Sequence, residues 1–483
     1  MKEKWYNEKI YLVIVMTVYI ILGSILIYFH EPFRDEAQAW LIARDTNIIE
    51  IFSLSKSEGS PMLWHCLVNI LTTLGLPYIS INIMHFILNI IAIYFLNKYA
   101  PFNKYIKVGI TFSHMMAYQY LVLARSYVLV PLLLFMIAII YKKRHEKTLI
   151  YCILLLLLQN ACLYSIPIAI TLFVTFVIEK IKLKQNDFKS IIIFIIVAVV
   201  MLGSILMLVN DNHNEQLYHT NLPTNFEELF EGAVKALRSI STVVLPFEVN
   251  IPLKGITGLI ILLLTTISLW KDKKVLIIFL ISTIVIGGIF AFLNLNITLR
   301  HSYVYVIIYL FCSWIKEENN EIKYIKSISQ SFVIFAITMQ IVLLITYGGY
   351  EIAYDFSNAV KIKEFIKEQG YEDYKIFTFH MPFASSILPY FPDKRALAIE
   401  DFTEHTYVIW NKDFNNENLI FELDVYRMMY MARKDYNGKV LFISDDIDGW
   451  QEKYINQLEK IYPVNATKEV VEEELHLYKL KDY

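Results

Sequence analysis

His30-Glu31-Pro32-Phe33-Arg34-Asp35-Glu36-Ala37-Gln38-Ala39-Trp40-Leu41-Ile42-Ala43-Arg44-Asp45 is the stretch on which the reading of this chain turns. It follows residues 10–29, an almost uninterrupted apolar run of about 20 residues, long enough to cross a bilayer. The charged cluster therefore falls where lipid gives way to water. Polar chemistry at a membrane surface is the first expectation.

Composition agrees. Of 483 residues 56% are hydrophobic, and the formal net charge is -2, so bulk charge points to no nucleic-acid partner. Cys66, Cys152, Cys162 and Cys312 lie inside apolar stretches with no CxxC spacing and read as small buried hydrophobes, with no disulfide or metal role. Lys2, Lys4 and Lys9 precede the first run as in a signal peptide, but the run is long and no small-residue cleavage site follows, so it reads as an uncleaved anchor.

Further apolar runs predict membrane spans at 10–29, 80–97, 104–123, 126–141, 148–163, 165–181, 190–209, 255–270, 275–293, 299–315 and 329–347. With the N-terminus cytoplasmic, the Lys-rich loops at Lys98 to Lys107, Lys142 to Arg144, Lys182 to Lys189, Lys271 to Lys274 and Lys316 to Lys326 all fall on the cytoplasmic side. This bookkeeping requires that Pro61 to Leu76, about 16 residues and short for a span, lie in the outer interface without crossing. The expected fold is thus an all-α polytopic membrane protein of about eleven transmembrane helices, residues 1–347, with outer loops at 30–79 and 210–254. Residues 348–483 read differently: β-rich runs at Lys375 to His380, Arg395 to Glu400, Lys439 to Ser444 and Leu475 to Leu480 alternate with helical stretches at Ala359 to Gln369, Glu417 to Arg433 and Trp450 to Tyr462. They predict a small α/β extracytoplasmic domain.

This topology gathers polar residues on one face. Asp35, Glu36, Arg44, Asp45, Glu58 and His65 lie in the first outer loop, Arg125 with Ser126 and Tyr127 at an outer turn, and Arg300-His301 at the outer start of a span. Each has a plainer role available: Asp35 with Gln38 fits an N-cap and capping box, Arg125 and Arg300 fit snorkelling anchors, and Trp40, Trp64 and Tyr127 fit an aromatic belt.

Asp35 to Asp45, Glu58-Gly59-Ser60-Pro61-Met62-Leu63-Trp64, Ala124-Arg125-Ser126-Tyr127 and Arg300-His301 resemble the signature stretches of bacterial GT-C membrane glycosyltransferases, in the branch of protein mannosyltransferases and the lipid A aminoarabinose transferase (family 39-type). The resemblance covers about residues 10–347 and implies a GT-C-like fold, a catalytic Asp in the first outer loop, a polyprenyl-phosphate sugar donor and transfer on the outer side. Ser60 and Met62 stand where such relatives usually carry a His and a second Pro, which weakens a metal assignment.

Sugar transfer from a lipid phosphate needs a base at the acceptor hydroxyl and cations at the departing phosphate. Asp35 is the candidate base with Glu36 as its partner; Arg125, Arg300 and His301 are candidates for the donor phosphate, where a guanidinium fork suits better than an ammonium. Trp40, Glu58, Trp64 and Tyr127 are candidate substrate contacts. A divalent cation could bridge Asp35 or Glu36 to the phosphate, but no ligand spacing demands one. The expected partners are the polyprenyl-phosphate donor, membrane lipids and a glycan, lipid or protein acceptor. Two other classes compete: a transporter or flippase of lipid-linked glycans, and a non-catalytic envelope assembly protein.

Overall fold

The structure, a computed structural model, describes residues 2–185, 187–208, 223–245, 251–292, 297–316, 323–410, 422–445, 447, 456–463 and 470–481. Among them, 8 helices are long and apolar enough to cross a membrane: Glu8–Phe29, Ser80–Tyr99, Ser126–Lys143, Leu163–Lys182, Phe188–Leu206, Pro252–Leu269, Lys273–Phe292 and Val333–Ala353. Their outward side chains are apolar, as with Ile195, Val199 and Leu202. That is the surface a bilayer requires, because lipid offers no partners to polar groups.

Two expected spans take other forms, and a third, 299–315, is a helix over its expected residues. Residues 104–123 are not one helix: Lys104–Thr111 ends and a π-helical turn, Met115–Gln119, follows. The backbone groups freed by the break are taken up by neighbours, since Tyr19 Oη and Asn89 Nδ2 both donate to Met116 O, and Met115 N–H donates to Gln340 Oε1 at 3.1 Å. An interrupted helix is tolerated in the bundle interior on this condition. The segments expected at 148–163 and 299–315 are helices of 12 and 17 residues, Thr148–Gln159 and Leu299–Ile315. Pro61 to Leu76 contains the 11-residue helix Leu63–Thr73, about 16 Å long and roughly half a hydrocarbon core. Of the expected outer loop 210–254, residues 210–222 and 246–250 lie outside the described residues; between them runs Phe226–Thr242. The last membrane helix, Lys323–Ala353, continues past the expected boundary at 347.

The C-terminal residues form β1 (Asp355–Ser357), β2 (Lys375–Thr378), β3 (Ala396–Ala398), β4 (Glu404–His405), β5 (Val440–Ser444), β6 (Leu458–Tyr462), β7 (Val470–Glu473) and β8 (His476–Leu480). Six strands make one mixed sheet in the order β4-β3-β2-β5-β8-β6, and β1 pairs with β7 in parallel. Helices Ala359–Glu368 and Glu422–Lys434 accompany the sheet. The helix expected at Trp450 to Tyr462 is corrected in part: 450–455 lie outside the described residues, but Leu458–Tyr462 is a strand, antiparallel to β8 with Leu458 buried. Its alternation and its Ile461-Tyr462 end suit a pleated edge.

Bundle and sheet meet on helix Arg34–Asp45. From one side it takes Val408, whose N–H donates to Gln38 Oε1 at 2.9 Å while Gln38 Nε2 donates to Val408 O at 2.8 Å. Arg34 N–H donates to Glu473 Oε2 at 3.3 Å, and Phe356 N–H to Glu31 Oε2 at 2.8 Å. On the other side the helix packs against Leu63–Thr73, where Asn69 Nδ2 donates to Ala43 O at 2.7 Å, and Ala37, Leu41 and Ala43 are fully buried.

Candidate active site

The first turn of Arg34–Asp45 decides where the acidic pair goes. Asp35 does not cap this helix: Phe33 occupies the cap position, and Glu36 reaches back to accept from Phe33 N–H at 3.2 Å. Gln38, the expected capping partner of Asp35, donates instead to Glu58 Oε1 at 2.8 Å and to Val408. The plain capping role for Asp35 is thereby removed.

Asp35 turns toward two cations from distant parts of the chain. Its Oδ2 pairs with Arg125 Nη1 and with Arg300 Nη2, the latter at 3.1 Å. Arg125 is extended and immediately precedes the turn Ser126–Val128; Arg300 is the second residue of Leu299–Ile315. A cation in a helix's first turn opposes the helix dipole, so Arg300 sits where its charge is least welcome unless an anion accompanies it. Asp35 supplies one. Burial pushes the Asp35 carboxyl up, but Arg125 and Arg300, then Arg34 and His301, outweigh it and hold the carboxyl below its ordinary value. Asp35 keeps access to solvent, with 29% of its side chain exposed, and the buried Arg300 Nε has no hydrogen-bond partner among the described residues.

His301 and Tyr127 adjoin this group, their rings 5.4 Å apart, with Tyr164 5.1 Å from His301 and stacked on Tyr127 at 6.4 Å. The His301 Nδ1 accepts from Thr298 N–H at 3.1 Å. Glu58 neighbours Asp35 and Arg125 electrostatically; burial raises its carboxyl to about 7, with Gln38 and Arg125 pulling the other way.

Glu36 goes elsewhere. Fully buried, it accepts at Oε1 from Asn82 Nδ2 at 3.0 Å and Ala124 N–H at 2.8 Å, and at Oε2 from His30 Nε2 at 2.9 Å. His30 Nδ1 contacts Glu351 Oε1 at 2.7 Å, and Tyr118 Oη donates to Glu351 Oε2. Burial alone would lower the His30 imidazole, yet the two carboxylates raise it to about 10, so it stays charged between them. Expected as Asp35's catalytic partner, Glu36 has no free face toward a substrate. Trp40 and Trp64, read as substrate contacts, are core residues, packed on Tyr78 and on His85. No group of three or more His, Cys, Asp or Glu able to hold a metal occurs among the described residues.

Beside Arg300 opens a cavity of about 670 Å³. Its walls carry Lys235, Arg238, Lys254 and Arg300 with Tyr118, Tyr347, Tyr350 and Tyr354. An apolar slot of about 130 Å³ lies along the same helices, lined by residues such as Ile240, Val243, Tyr303 and Gln340. Sequence reading missed Lys235, Arg238 and Lys254. The signal was available in the spacing of 235, 238, 239 and 242, which places them on one helical face. No family model matches this chain, and neither a curated protein nor a solved structure matches it.

Proposed function

We propose that the protein transfers a sugar from a polyprenyl-phosphate donor to an acceptor hydroxyl on the outer face of the cytoplasmic membrane. The supporting observation is the pairing of Asp35 with Arg125 and with Arg300, the latter of which also lines a cationic, tyrosine-rich cavity, with an apolar slot along the same helices. A lipid phosphate needs that sequence of surfaces: an apolar wall for the chain, guanidinium forks for the phosphate and rings for the sugar.

The acceptor oxygen attacks the anomeric carbon, the bond from that carbon to the phosphate oxygen breaks, and polyprenyl phosphate departs with the bonding electrons. The hydroxyl proton passes to Asp35. A carboxylate held by two arginines is a weak base. In this reading the donor phosphate draws Arg125 and Arg300 toward itself, and Asp35 becomes basic only when the donor is in place.

One observation favours a transporter instead: the broken segment at 104–119, with His114 and Asn89 buried beside it, has the look of an interrupted transport helix. Purified protein in proteoliposomes with a radiolabelled polyprenyl-phosphate sugar separates the two. Label appearing on envelope acceptors supports transfer; intact labelled lipid crossing the bilayer with no transfer overturns it.

A further inference from the structure

The reaction above needs cations at one phosphate, and Arg125 and Arg300 serve it. The large cavity carries more positive charge than that: four cations line it against two carboxylates, Glu351 and Glu472. Of these carboxylates, Glu351 is held by His30. Two helices supply the additional cations, and both are built to place them there. On Phe226–Thr242 the residues 235, 238, 239 and 242 face the cavity, while Phe226, Leu229 and Phe230 form a separate exposed apolar face. On Ile251–Leu269, Gly258 approaches so closely that a Cβ there would lie 1.9 Å from Leu237 O. Only glycine admits that contact. It locks Lys254, one turn before Gly258, and Arg238, next to Leu237, onto one wall.

Resting on the transferase reading, we propose that Arg238 and Lys254 form a second anion site and that the acceptor itself carries a phosphate, which this site holds. The cavity's place decides between an acceptor and a membrane lipid headgroup. Its rim includes Tyr354, Phe356, Val471 and Glu472, which lie beyond the last membrane helix on the sheet domain, so the ligand comes from the water side. Tyr347 and Tyr350 offer ring faces to a sugar or polyol next to that phosphate.

The test is equilibrium binding to the full chain in phosphatidylcholine nanodiscs with two probes, inorganic tripolyphosphate and polyprenyl monophosphate. The double variant Arg238→Gln/Lys254→Gln is expected to weaken tripolyphosphate by about tenfold or more, the loss of two charge-assisted contacts, and to leave polyprenyl phosphate nearly unchanged. Arg300→Gln should show the opposite pattern. Arg238→Lys/Lys254→Arg should retain tripolyphosphate binding, which separates lost charge from lost folding. If the double Gln variant loses polyprenyl phosphate instead, the wall serves the donor: the proposal falls and the transferase reading stands. If tripolyphosphate fails to bind wild type, or if phosphatidylglycerol in the nanodisc displaces it, the acceptor site is likewise overturned. If Arg300→Gln leaves polyprenyl phosphate unaffected, the transferase reading fails separately.

Discussion

Asp35 and Glu36 are adjacent in sequence and serve opposite surroundings: Asp35 pairs with Arg125 and with Arg300, which lines the cavity, whereas Glu36 is fully enclosed and bound to His30, Asn82 and Ala124. Successive helical residues point about 100° apart, enough to send one carboxylate to solvent and the other into the bundle.

Asp35→Asn should abolish transfer and tighten binding of polyprenyl monophosphate. Asn keeps the size of the side chain but no longer competes for Arg125 and Arg300, so the phosphate gains partners that the carboxylate had occupied. A several-fold gain in affinity, of the order of one charge-assisted hydrogen bond, should appear in titrations. Weaker binding by the variant would show that Asp35 does not compete with the phosphate.

Glu36→Ala should act on folding. It strips His30 of one of two buried counter-charges and orphans Asn82 and Ala124 N–H, a loss of about 3–5 kcal/mol by analogy with broken buried pairs. Thermal unfolding in detergent should register it, while Asp35→Asn should leave the transition nearly in place.

Glu58 and Glu473 should make the junction between bundle and sheet domain sensitive to pH. Burial raises both to about 7 from an ordinary 4.5; Glu58 faces Gln38, Arg125 and Asp35, and Glu473 faces Ser386, Ser357 and Arg34, with Asp35 beyond. Between 4.5 and about 7 the folded chain holds protons that the unfolded chain releases, so this stability is complete below 4.5 and is lost as pH rises through 7. Limited proteolysis of the sheet domain should be slower at mildly acidic than at mildly alkaline pH, and Glu473→Gln should flatten the difference.

Gly258→Ala should part the helices Phe226–Thr242 and Ile251–Leu269, because the added carbon meets a backbone oxygen that cannot rotate away. Overpacking of this kind costs about 1–3 kcal/mol. The unfolding midpoint should drop accordingly, and tripolyphosphate binding should weaken as Arg238 and Lys254 move apart.

Cysteines at Lys56 and Leu76, both exposed, flank the short helix Leu63–Thr73. Both should react with a membrane-impermeant thiol reagent in intact cells. Protection of one alone would mean that the segment crosses.

The sequence showed what local chemistry controls. Long apolar runs marked most of the membrane helices, and Asp35, Arg125 and Arg300 could be gathered because each stands next to the end of such a run on the same inferred side. The enclosure of Glu36 is not legible locally because, beyond His30, its partners Asn82 and Ala124 lie 46 and 88 residues away. The break after Thr111 was invisible for a similar reason: residues 104–123 are apolar enough to read as continuous, and the partners that permit the π turn are the donors Tyr19 and Asn89 and the acceptor Gln340. Strand β6 was hidden by its charged residues, which suit a helix surface as readily as an edge strand.

Because Gln38 and Val408 exchange two hydrogen bonds, the helix bearing Asp35 is fastened directly to the sheet domain. The sheet domain is therefore a handle. Whatever grips it, an antibody for instance, pulls on the helix that carries Asp35 without having to enter the cavity.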